Sequence, residues 1–345
     1  MRRKGIFMKK VLSVLLVVAL FIGCLAGCSG SGDGSSQSTS DSSASTSSGD
    51  GERLKIGIVL KTLASEYWVD MAEGIEAKAE ELGVDVEIMA AASESDTGGQ
   101  LQMLEDMVSG DYDGIGVAPI TDTNLINGVA AACEKGIPVV DLDQSFNEEE
   151  LAAAGGWLVG YCTTDYVVTG EQAGEYLAQC MGNSGKAIII EGMAGNLSSE
   201  SRKEGCTNVL TEAGIEVVAS QPCDWDRQKA MDATTNLLSV NPDVTGIYCC
   251  NDTMALGAQQ AVDNLNLGDQ VFVVGTDGNS EAIESIASGH MAGTAAQKPD
   301  VIGATCLEML VEFIRSGEEG GMDYEMENVL LDSYIINREN VEEYR

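Results

Sequence analysis

The chain has 345 residues, of which 55 are Asp or Glu and 19 are Lys or Arg, for a formal charge of −36. A field of that sign repels nucleic acid and anionic lipid surfaces, and no Lys/Arg cluster after residue 28 offsets it locally. Nucleic acid is therefore excluded as a partner.

The first 28 residues have the grammar of an export signal. Arg2, Arg3, Lys4, Lys9 and Lys10 form a cationic head, Val11–Ile22 an apolar core, and Leu25-Ala26-Gly27-Cys28 a small-residue cleavage site. The apolar run falls short of the roughly 20 residues that a membrane span takes. The tetrapeptide resembles the lipobox of bacterial lipoproteins, whose cysteine is diacylated and becomes the mature N-terminus. Cys28 is then the expected lipidation site, and the outer face of the cell membrane the expected location. Loss of the five cations, with no acidic residue among the first 28, takes the formal charge from −36 to −41. Residues 29–52 are almost wholly Ser, Gly, Asp and Thr. Nothing there can be buried, so the segment reads as a flexible tether with a typical span of roughly 25–30 Å.

Residues 53–345 are too many for one typical domain and suit two. Strand and helix alternate along them. Leu54–Leu60 is a strand and Tyr67–Leu82 a helix; Val84–Ala90 a strand and Gly99–Ser109 a helix; Gly114–Ala118 a strand, Thr123–Lys135 a helix and Pro138–Leu142 a strand. After a strand at Trp157–Cys162 the pattern resumes with Lys186–Glu191, Ser199–Glu212, Glu216–Ser220 and Arg227–Val240. It continues through Gly246–Cys249, Thr253–Asn264, Val271–Gly275 and Ser280–Ser288. The strands are short and continuously apolar, as strands buried on both faces of a parallel sheet are. Two such runs predict an α/β protein of two doubly wound parallel-sheet lobes.

Ligands of open α/β sheets bind beyond the carboxyl ends of the strands. Those positions carry Lys61-Thr62, with Tyr67-Trp68 opening the next helix, then Asp143, Gly192–Asn196 with Arg202, and Asp224-Trp225-Asp226-Arg227. Asn251-Asp252, Asp277 and Gln297 complete them. Two of the three tryptophans thus gather with polar planar groups at strand ends. Asp252 reads as the cap of the helix that starts at Thr253, and Trp157, in an apolar strand context, as structural.

These residues carry a resemblance to the ribose/galactose-type periplasmic sugar-binding proteins, nearest to the allose binders among them. It rests on Val59–Leu63 with Trp68–Met71, Gln100-Leu101 with Glu105-Asp106, Ile189–Gly192 with Ala194–Asn196, and Val218–Pro222 with Asp224–Arg227. Asn251–Ala255, Val274–Gly278 and Ala296-Gln297 extend it, so that it covers Lys55 to about Asn337. The resemblance implies a periplasmic binding protein type I fold whose lobes, joined by a three-crossing hinge, enclose a sugar. The expected lobes are 53–163 with 298–329, and 164–297 with 330–345. It implies hydroxyl contacts from Lys61, Asp143, Arg202, Asn251, Asp277 and Gln297. Trp68 and Trp225, helped by Tyr67, would lie against the ring. Where the allose binders have Asn-Pro before the aromatic pair, this chain has Ser65-Glu66, and Ser65 reaches less far than Asn. The implied ligand is a monosaccharide, allose-like or ribose, and the implied partners are an ABC permease and its ATPase, with the binding protein itself a monomer.

The residue types suit a pyranose on their own chemistry. Carboxylates accept two bonds, arginine donates in a fork, amides do both, and indoles cover C–H faces. A glycosidase would need two carboxylates at controlled separation, which Asp143 and Asp277 could form. The anchor and the two equal lobes speak for binding instead, so no catalytic residue is expected. A repressor's effector lobe is excluded by the export signal, while a receptor for a non-sugar signal shares the fold and stays open. No GxxxxGK[ST], GxGxxG, CxxC or EF-hand pattern occurs after residue 28, and no cofactor or metal is expected. The single histidine, His290, has no assigned role. Of ten cysteines, eight lie beyond Cys24 and Cys28, and they read as small buried apolar residues.

Overall fold

A computed structural model describes residues 53–345; the export signal, Cys28 and the tether lie outside the described residues. The first sheet holds β1 (Lys55–Leu60), β2 (Asp85–Ala90), β3 (Gly114–Val117), β4 (Val139–Leu142), β5 (Gly160–Thr164) and β11 (Glu327–Leu331). Their order is β11-β5-β4-β3-β1-β2, all parallel. The second holds β6 (Lys186–Glu191), β7 (Glu216–Pro222), β8 (Val244–Cys249), β9 (Phe272–Asp277), β10 (Gly293–Ala296) and β12 (Tyr334–Asn337). Its order is β12-β10-β9-β8-β6-β7, with β12 alone antiparallel.

Ten helices cover the faces: α1 (Glu66–Leu82), α2 (Thr97–Ser109), α3 (Ile126–Glu134), α4 (Glu148–Ala153), α5 (Tyr166–Cys180), α6 (Leu197–Glu212), α7 (Arg227–Val240), α8 (Asp252–Asn264), α9 (Ser280–Ala287) and α10 (Pro299–Ser316). Period-two alternation divides the layers. In β1, Ile56, Ile58 and Leu60 pack with α1 and α10, whereas Val59 packs with α2 and α3. The strands β3, β4 and β10 are buried at every position, which accounts for their apolar runs, broken only by Asp141 and Thr294. α1 and α10 approach so closely that a Cβ on Gly74 would stand 2.2 Å from the Asp300 carbonyl oxygen.

The chain passes between the sheets at Asp165, at Gln297-Lys298 and at Asp332-Ser333, because α5 packs on the second sheet, α10 on the first, and β11 and β12 lie on opposite ones. Neither α4, α5 and α10 nor β11 and β12 has a counterpart among the elements predicted from the sequence. The predicted strand at Trp157–Cys162 starts too early: β5 runs Gly160–Thr164 and leaves Trp157 in the preceding loop. There the indole packs against Phe313 (5.7 Å between centroids) and Tyr324 (5.9 Å), a structural place as expected. All eight cysteines of the described residues are free thiols. Six are buried within the lobes, in keeping with small apolar residues.

Candidate functional site

Strand ends of both sheets open on one cleft, and the loops leaving them build its walls. A small cavity, with about 340 Å³ of atom-free space when its solvent-open mouth is included, lies between Lys61, Ser65, Tyr67, Trp68, Glu94 and Asp143 of the first lobe and Ser198, Arg202, Trp225, Asn251 and Asp277 of the second. Nine of the ten residues singled out in the sequence meet there. The tenth, Gln297, stands behind the wall and donates Nε2 to Asp277 Oδ1 at 2.8 Å.

Backbone strain marks the same place. Among the described non-glycine residues with positive φ, Asp143 (70°), Asp224 (53°), Trp225 (61°) and Asp277 (125°) all belong to the cleft loops. Such conformations are costly for L-residues and persist only where surrounding structure imposes them. For Asp143 the imposing contacts are visible. Its carbonyl accepts from Tyr161 Oη at 2.8 Å and from Tyr166 Oη, and its N–H donates to Cys162 O at 2.9 Å.

On the first lobe, Tyr67, Trp68, Lys61 and Asp143 are already paired. Tyr67 Oη donates to Asp143 Oδ1 at 2.7 Å, and Thr163 Oγ1 reaches the same oxygen at 3.3 Å. Trp68 Nε1 donates to Glu94 Oε1 at 2.9 Å, and Lys61 Nζ donates to Gln144 Oε1 at 3.0 Å while lying 5.1 Å from the Trp68 ring centroid. The Tyr67 and Trp68 rings meet edge to face, 5.1 Å apart at 83°. Burial pushes the Tyr67 hydroxyl well above its usual range, and the Asp143 charge adds to this. Burial also raises Glu94, against the pull of Lys61 and the Trp68 N–H.

The second lobe leaves more unmet. Arg202 Nη1 donates to Cys250 O at 2.9 Å and lies 3.9 Å from Asp277 Oδ1. Its guanidinium carbon sits 5.3 Å from the Tyr166 centroid. Arg202 Nε, Trp225 Nε1 and Gln297 Oε1 are buried with no hydrogen-bond partner in the protein, a cost unless something in the cleft meets them. Burial disfavours the Arg202 charge, yet Asp277 together with Tyr248, Tyr166 and Tyr67 outweighs it, so the group stays protonated. Burial pushes Asp277 well above the carboxylate range, with Arg202 opposing and Asp252 reinforcing. The Trp225 indole lies across Gly192, where a Cβ would come within 2.2 Å of the ring; glycine at 192 is what seats it.

Asp252 is not the cap of α8. Asn251 takes that position, accepting from Met254 N at 2.9 Å. Asp252 turns inward instead, accepting from Gly278 N (2.8 Å), Asn279 N (2.9 Å) and Thr294 Oγ1 (2.8 Å). Through these bonds it shapes the loop that carries Asp277.

Two lining residues escaped the sequence reading. Glu94 lies in the polar run Ser93–Asp96, which reads as a solvated loop, and Ser198 sits in the first turn of α6 without any patterned signal. With Glu94, three carboxyls face two cations in the cavity, all of them groups that bond hydroxyls. His290, by contrast, pairs with Asp263 Oδ2 at 3.0 Å on an exposed surface.

The comparisons agree with this geometry. Residues 56–319 match the family model described as a periplasmic binding protein domain. The D-allose-binding periplasmic protein of Escherichia coli (strain K12) is 44% identical over 283 residues, 81% of this chain and 91% of that protein. The ribose import binding protein of Haemophilus influenzae is 34% identical over 75% of this chain and 85% of its own. Among solved structures, an ABC transporter periplasmic solute-binding protein of Actinobacillus succinogenes 130z with bound D-allose superposes with a TM-score of 0.79. It is 31% identical and covers 85% of this chain and 100% of that one. All three are binding proteins by name, in line with the expectation of no catalysis. The fold, the cleft and these matches together establish that the chain belongs to the periplasmic binding protein family, with the two-lobed architecture of its type I members.

Proposed function

We propose that the chain is the extracytoplasmic binding protein of a sugar ABC importer, and that it encloses a monosaccharide, an allose-like aldohexose or ribose, between its lobes. The observation that carries this reading is the cavity itself: Asp143, Asp277, Arg202, Lys61 and Asn251 converge on it beside two indoles. Lys61, Asp143, Arg202, Asn251 and Asp277 bond sugar hydroxyls, and Gln297 acts through Asp277, to which it donates. Trp68 with Tyr67 covers one face and Trp225 the other. Ser65 contributes a short-reach contact. A site built to bond hydroxyls rejects analogues that lack them, since its own buried groups would go unpaired. The 44% identity to an allose-binding protein and the bound D-allose of the structural relative support the choice of sugar.

In this reading a sugar touching both walls favours the closed arrangement, and the permease and ATPase of the importer receive the closed form. The hinge falls at the three crossings, Asp165, Gln297-Lys298 and Asp332-Ser333, so that residues up to 164 and 299–331 move as one lobe and 166–296 with 334–345 as the other. Cys28 carries the lipid anchor, residues 29–52 form the tether, and the protein works as a monomer.

The test is a thermal-shift screen of residues 51–345, a self-contained unit, against allose, ribose, galactose, glucose and psicose. A ligand at 100 times its Kd adds about 2.7 kcal/mol, enough to raise Tm by several degrees for a chain of this size. A shift with one or two sugars, lost in Asp277→Ala, is the expected result. A flat panel from well-folded protein would overturn the monosaccharide assignment and point to a non-sugar ligand.

A further inference from the structure

The position that departs from the allose-binder pattern makes a bond across the cleft. Glu66, first residue of α1 in the first lobe, accepts through Oε1 from the Ser280 N–H at 2.7 Å and from the Ser280 hydroxyl. Ser280 is the first residue of α9 in the second lobe. α9 has no side-chain cap of its own: Asn279, at the capping position, makes no such bond, and its N–H is taken by Asp252. The first N–H groups of a helix lack partners within it, and a carboxylate there also gains from the helix dipole. The cap of a second-lobe helix is thus supplied by the first lobe.

A second protein–protein bond spans the cleft nearby. Asn196 Nδ2 donates to Gln144 Oε1 at 2.8 Å, on the oxygen that also receives Lys61 Nζ. Asn196 and Gln144 are both buried. None of Glu66, Ser280, Asn196 and Gln144 lines the cavity, so these bonds reward closure whatever the cavity holds. The α9 cap is of this kind in a pure form, because an open cleft takes Glu66 away from the helix end.

We propose that Glu66 is an affinity-setting latch: as the borrowed cap of α9 it stabilises the closed arrangement and slows ligand release without touching the ligand. The proposal rests on the reading that the lobes open and close about a bound molecule. It makes Glu66 a positioning residue, acting on affinity through lobe closure.

Residues 51–345 are compared as wild type, Glu66→Ala and Glu66→Gln. Where the screen above yields a sugar, stopped-flow tryptophan fluorescence decides. Glu66→Ala should release it about three- to tenfold faster, the size expected for a lost charged cap, with association changed less than about twofold because steering and first contact are untouched. Glu66→Gln keeps the Oε1 acceptor and should fall between the two. Release unchanged in Glu66→Ala, or a loss confined to association, overturns the proposal. Where the screen yields no sugar, X-ray scattering of the ligand-free proteins decides. A larger radius of gyration for Glu66→Ala than for wild type upholds the latch even though the sugar assignment has failed, and equal radii overturn it. A melting transition of Glu66→Ala as cooperative as that of wild type excludes misfolding as the source of either effect.

Discussion

The two walls of the cleft solve the same chemical problem in opposite ways. On the first lobe, Tyr67, Trp68, Lys61 and Asp143 hold one another or near neighbours in hydrogen bonds, and both aromatic rings are buried in the lobe's core. On the second, Arg202 Nε and Trp225 Nε1 have no partner, and Trp225 is a partly buried indole on a strained turn. The first wall is pre-organised and little changed by what binds. The second carries the unmet hydrogen-bonding capacity, so the energetic difference between open and closed, filled and empty, is concentrated there.

The sharpest way to break that contrast is to remove one carboxylate from each wall. Asp277→Ala strands Arg202 as a buried charge and should weaken sugar binding by about 2–5 kcal/mol, at least about 30-fold, by calorimetry. Asp143→Asn, whose neighbours Tyr67 and Thr163 remain to hold the side chain, should cost clearly less. Equal losses would mean that the walls are energetically equivalent.

The scaffold beneath the second wall titrates. Burial holds Asp252 up at about 7, despite the hydrogen bonds from Thr294, Asn279 and Gly278 that pull it down. In the folded protein Asp252 therefore keeps a proton between the ordinary carboxylate range and about pH 7, where the unfolded chain has lost it. Native protein binds more protons than unfolded protein there, so stability falls as pH rises, by up to about 1.4 kcal/mol per pH unit. Denaturant melts of ligand-free protein from pH 4.5 to 7.5 should show that slope in wild type and a shallower one in Asp252→Asn. Identical slopes would remove Asp252 as its source.

Gly192→Ala tests the seat of Trp225. With a Cβ 2.2 Å from the ring, the indole must leave its place, and affinity should drop by about 1 kcal/mol, several-fold, the worth of an aromatic contact. A shift in tryptophan emission of the ligand-free variant would accompany it. The smallest effect is expected at Glu94→Gln, which keeps the acceptor for Trp68 N–H and changes only charge: affinity within about threefold, under about 0.7 kcal/mol. A tenfold loss there would show that the first wall also meets its ligand through an unshared charge.

Much of this molecule is legible before folding. The apolar strand runs, the helix periods between them and the polar groups after each strand are local patterns, and in a doubly wound sheet the strand ends must share one edge. That is why Lys61, Asp143, Arg202, Trp225, Asn251 and Asp277, separated by up to more than 200 residues of chain, could be grouped by position alone. The helices α5 and α10 were missed because they follow the crossings, where the strand–helix rhythm on which the reading relied is broken by a change of lobe. β12 was missed because it runs against the parallel rule. Glu94 and Ser198 were missed because a polar loop facing a cleft and a polar loop facing water have the same sequence.

The sequence by itself determined the class, the layering and the identity of most of the polar groups on the cleft, since periodicity and strand order follow from backbone geometry and side-chain burial. Only the tertiary structure decided which of those groups are paired. Asn251 rather than Asp252 caps α8, Gln297 stands behind Asp277, Gly192 seats Trp225, and Glu66 caps a helix 214 residues away. Pairing depends on distances of a few ångströms between loops of different lobes, and no local pattern encodes those.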